Sequence, residues 1–177
     1  MNIFGASTFA GNPINFDAGF KSQVETDYNA GGLAFSRIYR SDSTWTTNTV
    51  GTLWRHNYAR TFTITGGTAA ALTDNTGVTT NYTLTGGVWV PNDPATVAAL
   101  ATVTGGYTYT LQNGNVEKYD SNKRLTRIEY LGGGAVNLTY NGSGQLTGIA
   151  NENNRSLSLT YDGSGRVSTL VTLTRPL

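Results

Sequence analysis

The sequence contains no cysteine and a single histidine. Disulfides, thiolate metal sites and a cysteine nucleophile are excluded together, and one imidazole argues against zinc chemistry. Charge is scarce too. Lys, Arg, Asp and Glu make up 13% of the chain, roughly half the usual ~25%. The 12 basic residues nearly balance the 11 acidic ones, and a net charge of +1 leaves no electrostatic footprint for a nucleic-acid partner. No apolar run approaches the ~18 residues of a membrane span, and Met1 to Ser7 lacks the basic and apolar regions of a signal peptide. Glycine, 22 of 177 residues, fills the chain instead, with much Thr, Asn and Ser. Such a neutral, hydroxyl-rich surface suits an exported β structure. A chain of this size can bury roughly 70% of its unfolded surface, so a core without cross-links is feasible.

The last third of the chain repeats itself. Tyr119-Asp120-Ser121-Asn122-Lys123-Arg124-Leu125-Thr126-Arg127-Ile128 aligns with Tyr140 to Ile149 and with Tyr161 to Leu170, so the three tyrosines stand 21 residues apart, twice. Each period reads as a strand ending at the tyrosine, a tight Asp/Asn-Gly-rich turn and a strand of the form Leu-Thr-x-Ile: one hairpin per repeat. Strict alternation puts Leu146 with Gly148 on one face and Thr147 with Ile149 on the other, which asks for partial cover on both sides. The middle of the chain has the same grammar with less regularity. Gly86-Gly87 and Asn113-Gly114 suit the positive φ angles of two-residue hairpins. Asp93-Pro94 before an alanine-rich stretch predicts one short helix near residues 94–100.

The N-terminal third carries the cleanest alternation. Phe20, Ser22, Val24, Thr26 and Tyr28 face one way and Lys21, Gln23, Glu25 and Asp27 the other, which reads as a half-buried strand with its charged side in solvent. A second run, Trp54 to Ile64, alternates as well but places His56 and Arg60 on its apolar face, where they need partners. The expected fold is therefore all-β, an antiparallel hairpin sheet, curved or spiralling. It reads as one continuous unit of three stretches: an N-terminal β segment (1–65), an irregular hairpin and short-helix region (66–106), and the repeat sheet (107–177).

The Tyr-Asp-x-x-Gly-Arg-Leu-Thr-x-Ile pattern at this period resembles the YD repeat of the RHS family. Gly11 to Phe16, Val24 to Tyr28, Leu33 to Tyr39 and Gly51 to Tyr58 resemble, in the same order, the segment that commonly precedes those repeats. The resemblance spans roughly residues 11 to 173. It implies a long antiparallel sheet that spirals into a hollow shell, sequestering a C-terminal toxin before delivery to another cell. This chain is far shorter than such a shell and has no Asp-Pro-x-Gly self-cleavage signature after Leu170. The resemblance therefore implies the N-terminal portion of such a protein.

Site candidates are weighed against structural roles. His56, with Asp27, Asp42 and several serines upstream, has no nucleophile-elbow sequence beside it, and is read as a core hydrogen-bonding residue. Arg37 and Arg60 are read as partly buried donors to backbone carbonyls or to Glu25 and Asp27. Asp120 and Asp162 stand where turns begin and can accept local backbone N–H bonds. The neutral Asn141 at the equivalent position speaks against a calcium loop at Asp162 to Gly165. Arg124 and Arg166 are expected to bridge neighbouring turns, with Gln145 showing that the bridge need not be ionic. Tyr119, Tyr140 and Tyr161 are expected to stack as a structural ladder. The same ladder, or Trp45 and Trp89, would offer sugar-stacking rings if exposed.

No cofactor or metal is expected, and no enzymatic activity. A sheet cut open has edges that recruit other strands unless charge or proline blunts them. Here the strands Arg155 to Tyr161 and Arg166 to Leu173 are almost uncharged, and Pro176 blocks continuation only at the end. The expected partners are copies of the chain, paired edge to edge, or the remainder of an RHS shell. A glycan is the alternative partner, in an extracellular or cell-surface setting without membrane insertion.

Overall fold

The computed structural model describes residues 14–15, 19–43, 45 and 49–174; Gly11 to Pro13, Phe16 and Pro176, named above, lie outside them. Among the described residues every regular element is a β-strand, and no helix is long and apolar enough to cross a membrane. The chain forms three antiparallel meanders. The first sheet contains β1 (Ile14–Asn15), β2 (Phe20–Ala30), β3 (Leu33–Arg40) and β4 (Trp54–His56). The second contains β5 (Thr61–Thr65), β6 (Ala69–Thr73), β7 (Thr79–Thr85) and β8 (Val88–Pro91). The third has eight strands: β9 (Ala99–Val103), β10 (Gly106–Thr110), β11 (Val116–Asp120), β12 (Leu125–Glu129), β13 (Ala135–Tyr140), β14 (Leu146–Asn151), β15 (Arg155–Tyr161) and β16 (Val167–Thr174). Within each sheet every strand lies beside its sequence neighbour, and no sheet closes into a barrel. The second sheet thus begins at Thr61, and the repeat sheet takes in β9 and the first residue of β10 upstream of residue 107.

Turn chemistry explains this order. Gly86 and Gly87 both have positive φ, as a two-residue hairpin of mirror-image type requires. The repeat turns are built differently. In each, the first residue's N–H donates to the carbonyl four residues on, and the fourth residue's N–H donates back, as at Asn141, Gln145 and Gly144. The fourth residue is left-handed: Gly144 and Gly165 in two repeats, Lys123 in the first. This is a three-residue loop ending in a left-handed residue. Leu111 to Asn115 has the same bonds, so Asn113-Gly114 belongs to this class and not to the two-residue turns.

Each repeat hairpin also carries a β-bulge. Pairing passes from Lys118–Arg127 to Tyr119–Leu125, from Thr139–Gly148 to Tyr140–Leu146 and from Thr160–Thr169 to Tyr161–Val167. Thr126, Thr147 and Ser168 are the extra residues. Thr126 and Thr147 donate their hydroxyls to the Lys118 and Thr139 carbonyls. A bulge reverses the alternation, so Leu146 and Ile149 lie on one face, 3% and 0% exposed, instead of on opposite faces as strict period-2 geometry predicts. The sheet needs one covered side, not two.

Three further expectations are corrected. No helix occurs at 94–100: the Asp93 carboxylate accepts the Ala95 N–H (2.9 Å) and its carbonyl the Thr96 N–H (3.0 Å), closing a single turn. Leu100 is then buried in β9 opposite Tyr109, and strand burial outweighs the local helix signal. β2 bulges at Asp27, so Val24 is 62% exposed while Gln23 and Glu25 share the half-buried side with Phe35. The run Trp54 to Ile64 is not one strand. A turn over Asn57 to Arg60 parts β4 from β5, with Asn57 Nδ2 and Tyr58 Oη both donating to the Ala34 carbonyl.

The two small sheets cover the inner face of the large one. Leu33 and Phe35 of β3 pack toward β14 and β15, and Asn151 Nδ2 donates to the Gly31 carbonyl at 2.8 Å. At the other end Phe62 meets the Tyr107 and Tyr119 rings edge-on, and Tyr82 meets Tyr109. One continuous apolar cluster results. Because the bulge puts Leu146 and Ile149 in that cluster together, Leu146→Ala and Ile149→Ala should each cost about 2 to 5 kcal/mol in denaturant unfolding. A large loss for one and almost none for the other would restore strict alternation.

Candidate functional site

The repeat residues act within a fixed geometry. Asp120, Asn141 and Asp162 each present Oδ1 to the N–H of Arg124, Gln145 and Arg166, at 2.9 Å in all three. This bond uses only Oδ1, which Asn and Asp share, and so Asn serves as well as Asp in it. Arg124 returns its guanidinium to Asp120 of its own turn (2.9 and 2.8 Å) and Gln145 pairs with Asn141, so these side chains close turns and do not bridge between them. Among the described residues no three His, Asp or Glu side chains gather in a way that could hold a metal ion.

The tyrosines do not stack on one another. In the sheet Tyr119, Leu125, Tyr140, Leu146, Tyr161 and Val167 form one alternating row. Successive tyrosines are therefore two strands apart, about 9.6 Å. The link is a hydrogen bond: Tyr140 Oη donates to the Leu125 carbonyl at 2.7 Å and Tyr161 Oη to the Leu146 carbonyl at 2.8 Å. Strand pairing between hairpins starts only at Arg127–Asn137 and Gly148–Ser158, and the hydroxyl satisfies a carbonyl beyond it. Burial raises the pKa of Tyr140 and Tyr161.

Tyr119 stands at the first repeat and its hydroxyl goes elsewhere, to Glu117 Oε2 at 2.5 Å. Glu117 is fully buried and Arg60 holds its other oxygen at 2.7 Å. Arg60 also donates to the Asn57 and Ala59 carbonyls and to Asn75. Burial acts to lower the Arg60 pKa, but the Glu117 charge and hydrogen bond outweigh it and hold it above the ordinary value. Glu117 is the residue that sequence reasoning missed. Its signal was present: the equivalent positions in the next two repeats are Leu138 and Leu159.

Arg37 forms a bidentate pair with Asp27 (2.7 and 2.8 Å) and covers the Trp54 ring. His56 is buried and stacks on Phe35 at 5.6 Å; among the described residues its Nδ1 has no hydrogen-bond partner, so packing holds it where hydrogen bonding was expected. Trp89 is 6% exposed and donates to Thr102 Oγ1, which removes it as a sugar platform. Trp45 is half-buried with the Arg55 guanidinium over its ring. Tyr119 is buried too, so the ladder offers no continuous exposed aromatic surface.

The remaining feature is an edge. Among the described residues β16 pairs with one strand, β15, and it shows no charge along Val167 to Thr174. Val171 and Leu173 on its outer side are 46% and 53% exposed. Beside the start of β16 a slot of about 400 Å³ separates Arg166 to Leu170 from Phe35, Arg37 and the 49–51 loop.

Residues 11–82 match a family described as a domain of unknown function, DUF6531, and residues 140–176 match the RHS Repeat family. No curated protein matches the chain.

The buried imidazole makes a pH prediction. Burial, then the Arg55 and Arg60 charges, push the His56 pKa down from 6.5 to about 4. The unfolded chain takes up this proton near pH 6.5 and the folded chain only near 4. The His56 contribution is therefore complete above pH 6.5 and falls as pH drops toward 4, by about 3 kcal/mol in total. Chemical unfolding of wild type and His56→Gln across pH 4 to 7 should show this slope in the wild type and lose it in the variant. Parallel pH profiles would contradict the assignment.

Proposed function

We propose that this chain, which belongs to the RHS/YD-repeat family, is a non-catalytic architectural module whose repeat sheet is extended at β16 by addition of further strands. The product is a self-assembled fibre or shell, or the wall of a casing that encloses or delivers a toxin. The partners in this reading are copies of the chain or further RHS sheet, at the cell surface or outside it. The observation that carries it is the β16 edge: eight residues, uncharged, paired with a strand on one side only among the described residues, with Val171 and Leu173 exposed on its outer face. Unpaired main-chain groups on such a strand favour strand addition, and past Val167, whose N–H the Thr49 carbonyl takes, no charge or proline opposes it among the described residues. The neutral, hydroxyl-rich surface and the use of the repeat side chains within turns and core both support a building element over a chemical one. A glycan-binding role has less support, because Trp89 and Tyr119 are covered.

Lysines on an edge strand discourage pairing. Val171→Lys with Leu173→Lys, at exposed positions, should leave folding intact and reduce the native assembly to single chains of 18.9 kDa by sedimentation velocity. Wild-type chains that sediment singly at every concentration tested would count against self-assembly.

A further inference from the structure

The slot beside β16 has two filled counterparts inside the same sheet. Where Tyr140 crosses from β13, its hydroxyl meets the Leu125 carbonyl and the Arg124 guanidinium lies 5.7 Å from the centre of its ring. Twenty-one residues on, Tyr161 donates to the Leu146 carbonyl, with Gln145 in the place of Arg124. One period further, the receiving residues are Arg166, Val167 and Leu170, and these line the slot. We infer that this slot is a socket for the tyrosine of an incoming YD-type hairpin. The ring enters between β16 and the Phe35–Val50 wall, and its hydroxyl donates to the Val167 carbonyl.

Three observations fit that occupant. The slot, about 400 Å³, is roomy enough for a phenol ring; Phe35, Val50, Val167 and Leu170 give it apolar walls for the ring, and Asp27, Arg37 and Arg166 line its polar part. The Arg166 side chain forms no hydrogen bond or ion pair among the described residues, whereas Arg124 lies over a tyrosine. The Val167 N–H is already taken by the Thr49 carbonyl at 2.7 Å, and this bond does not compete with an added strand. Pairing between earlier hairpins begins past the bulge, at Arg127 and at Gly148, and the equivalent residue in β16 is Thr169. The 49–51 loop thus shapes the socket without blocking the edge. β9, the opposite edge of the sheet, carries no tyrosine, so a second copy docking through β9 leaves the socket unfilled. The occupant is therefore a tyrosine-bearing hairpin of the repeat type.

This inference rests on the reading of β16 as a growth edge and adds the residue that the edge selects. The test titrates the whole chain with a synthetic peptide of residues 132–151, which contains Tyr140, followed by calorimetry and by NMR at β16. The peptide should bind, with shifts at Arg166 to Leu170. A Tyr→Phe peptide, lacking one hydroxyl bond, should bind about fivefold more weakly, and a Tyr→Ala peptide more than tenfold more weakly. Arg166→Ala in the chain should weaken the tyrosine peptide about threefold; only the Arg166 backbone N–H and carbonyl take part in its turn, so the fold is retained. Equal binding of the tyrosine and alanine peptides would overturn the socket while leaving strand addition in place. A chain that still associates with itself but binds no peptide would do the same.

Discussion

One extra residue per repeat governs the large sheet. Leu and Ile three positions apart cannot share a face of a regular strand, and the bulge at Thr126, Thr147 and Ser168 brings each pair onto the same side. From that shift follow the single covered face, the alternating tyrosine and leucine row, and the delayed pairing between hairpins. The delay exposes a leucine carbonyl, and the next tyrosine hydroxyl satisfies it. Each such bond is worth about 1 kcal/mol net, and losing it would leave a poorly solvated carbonyl. Repeat-to-repeat specificity therefore resides in one hydroxyl and one carbonyl, set in register by the bulge.

The first repeat shows what happens where that pattern starts. Tyr119 reaches a buried carboxylate in place of a leucine carbonyl, and the carboxylate is matched by Arg60 from the junction between the first and second sheets. A buried ion pair is weak support for net stability, because desolvation opposes the attraction. Removing one partner is severe, since the other charge is then stranded. Our reading is that Arg60, Glu117 and Tyr119 fix where the repeat sheet begins relative to the N-terminal part, while apolar packing supplies the bulk of the stability.

Much of this was legible in the residues. The 21-residue period, the all-β antiparallel pattern and the Asp/Asn turns follow from local chemistry that a sequence displays directly. The bulges were missed because alternation was read as unbroken, although Leu-x-x-Ile within a strand already signals an extra residue. The helix near Pro94 was overestimated because Asp93 closes a single turn and Leu100 gains more by burial in β9. Trp89 and the Arg60–Glu117 pair depend on contacts between sheets, which local pattern does not display. Glu117 was the exception, visible as an acid where two sister repeats carry leucine.

The repeat side chains are committed to turns, rungs and core, and we propose that the large sheet meets other molecules through its β16 edge. The central claim is that β16 is where this sheet continues. Amide hydrogen exchange of the full chain, followed from dilute to concentrated solution, tests it most directly. The account predicts that protection across Val167 to Thr174 rises with concentration while β11 to β14 stay unchanged. Exchange in β16 that is indifferent to concentration, with protection gained at another edge instead, would contradict it.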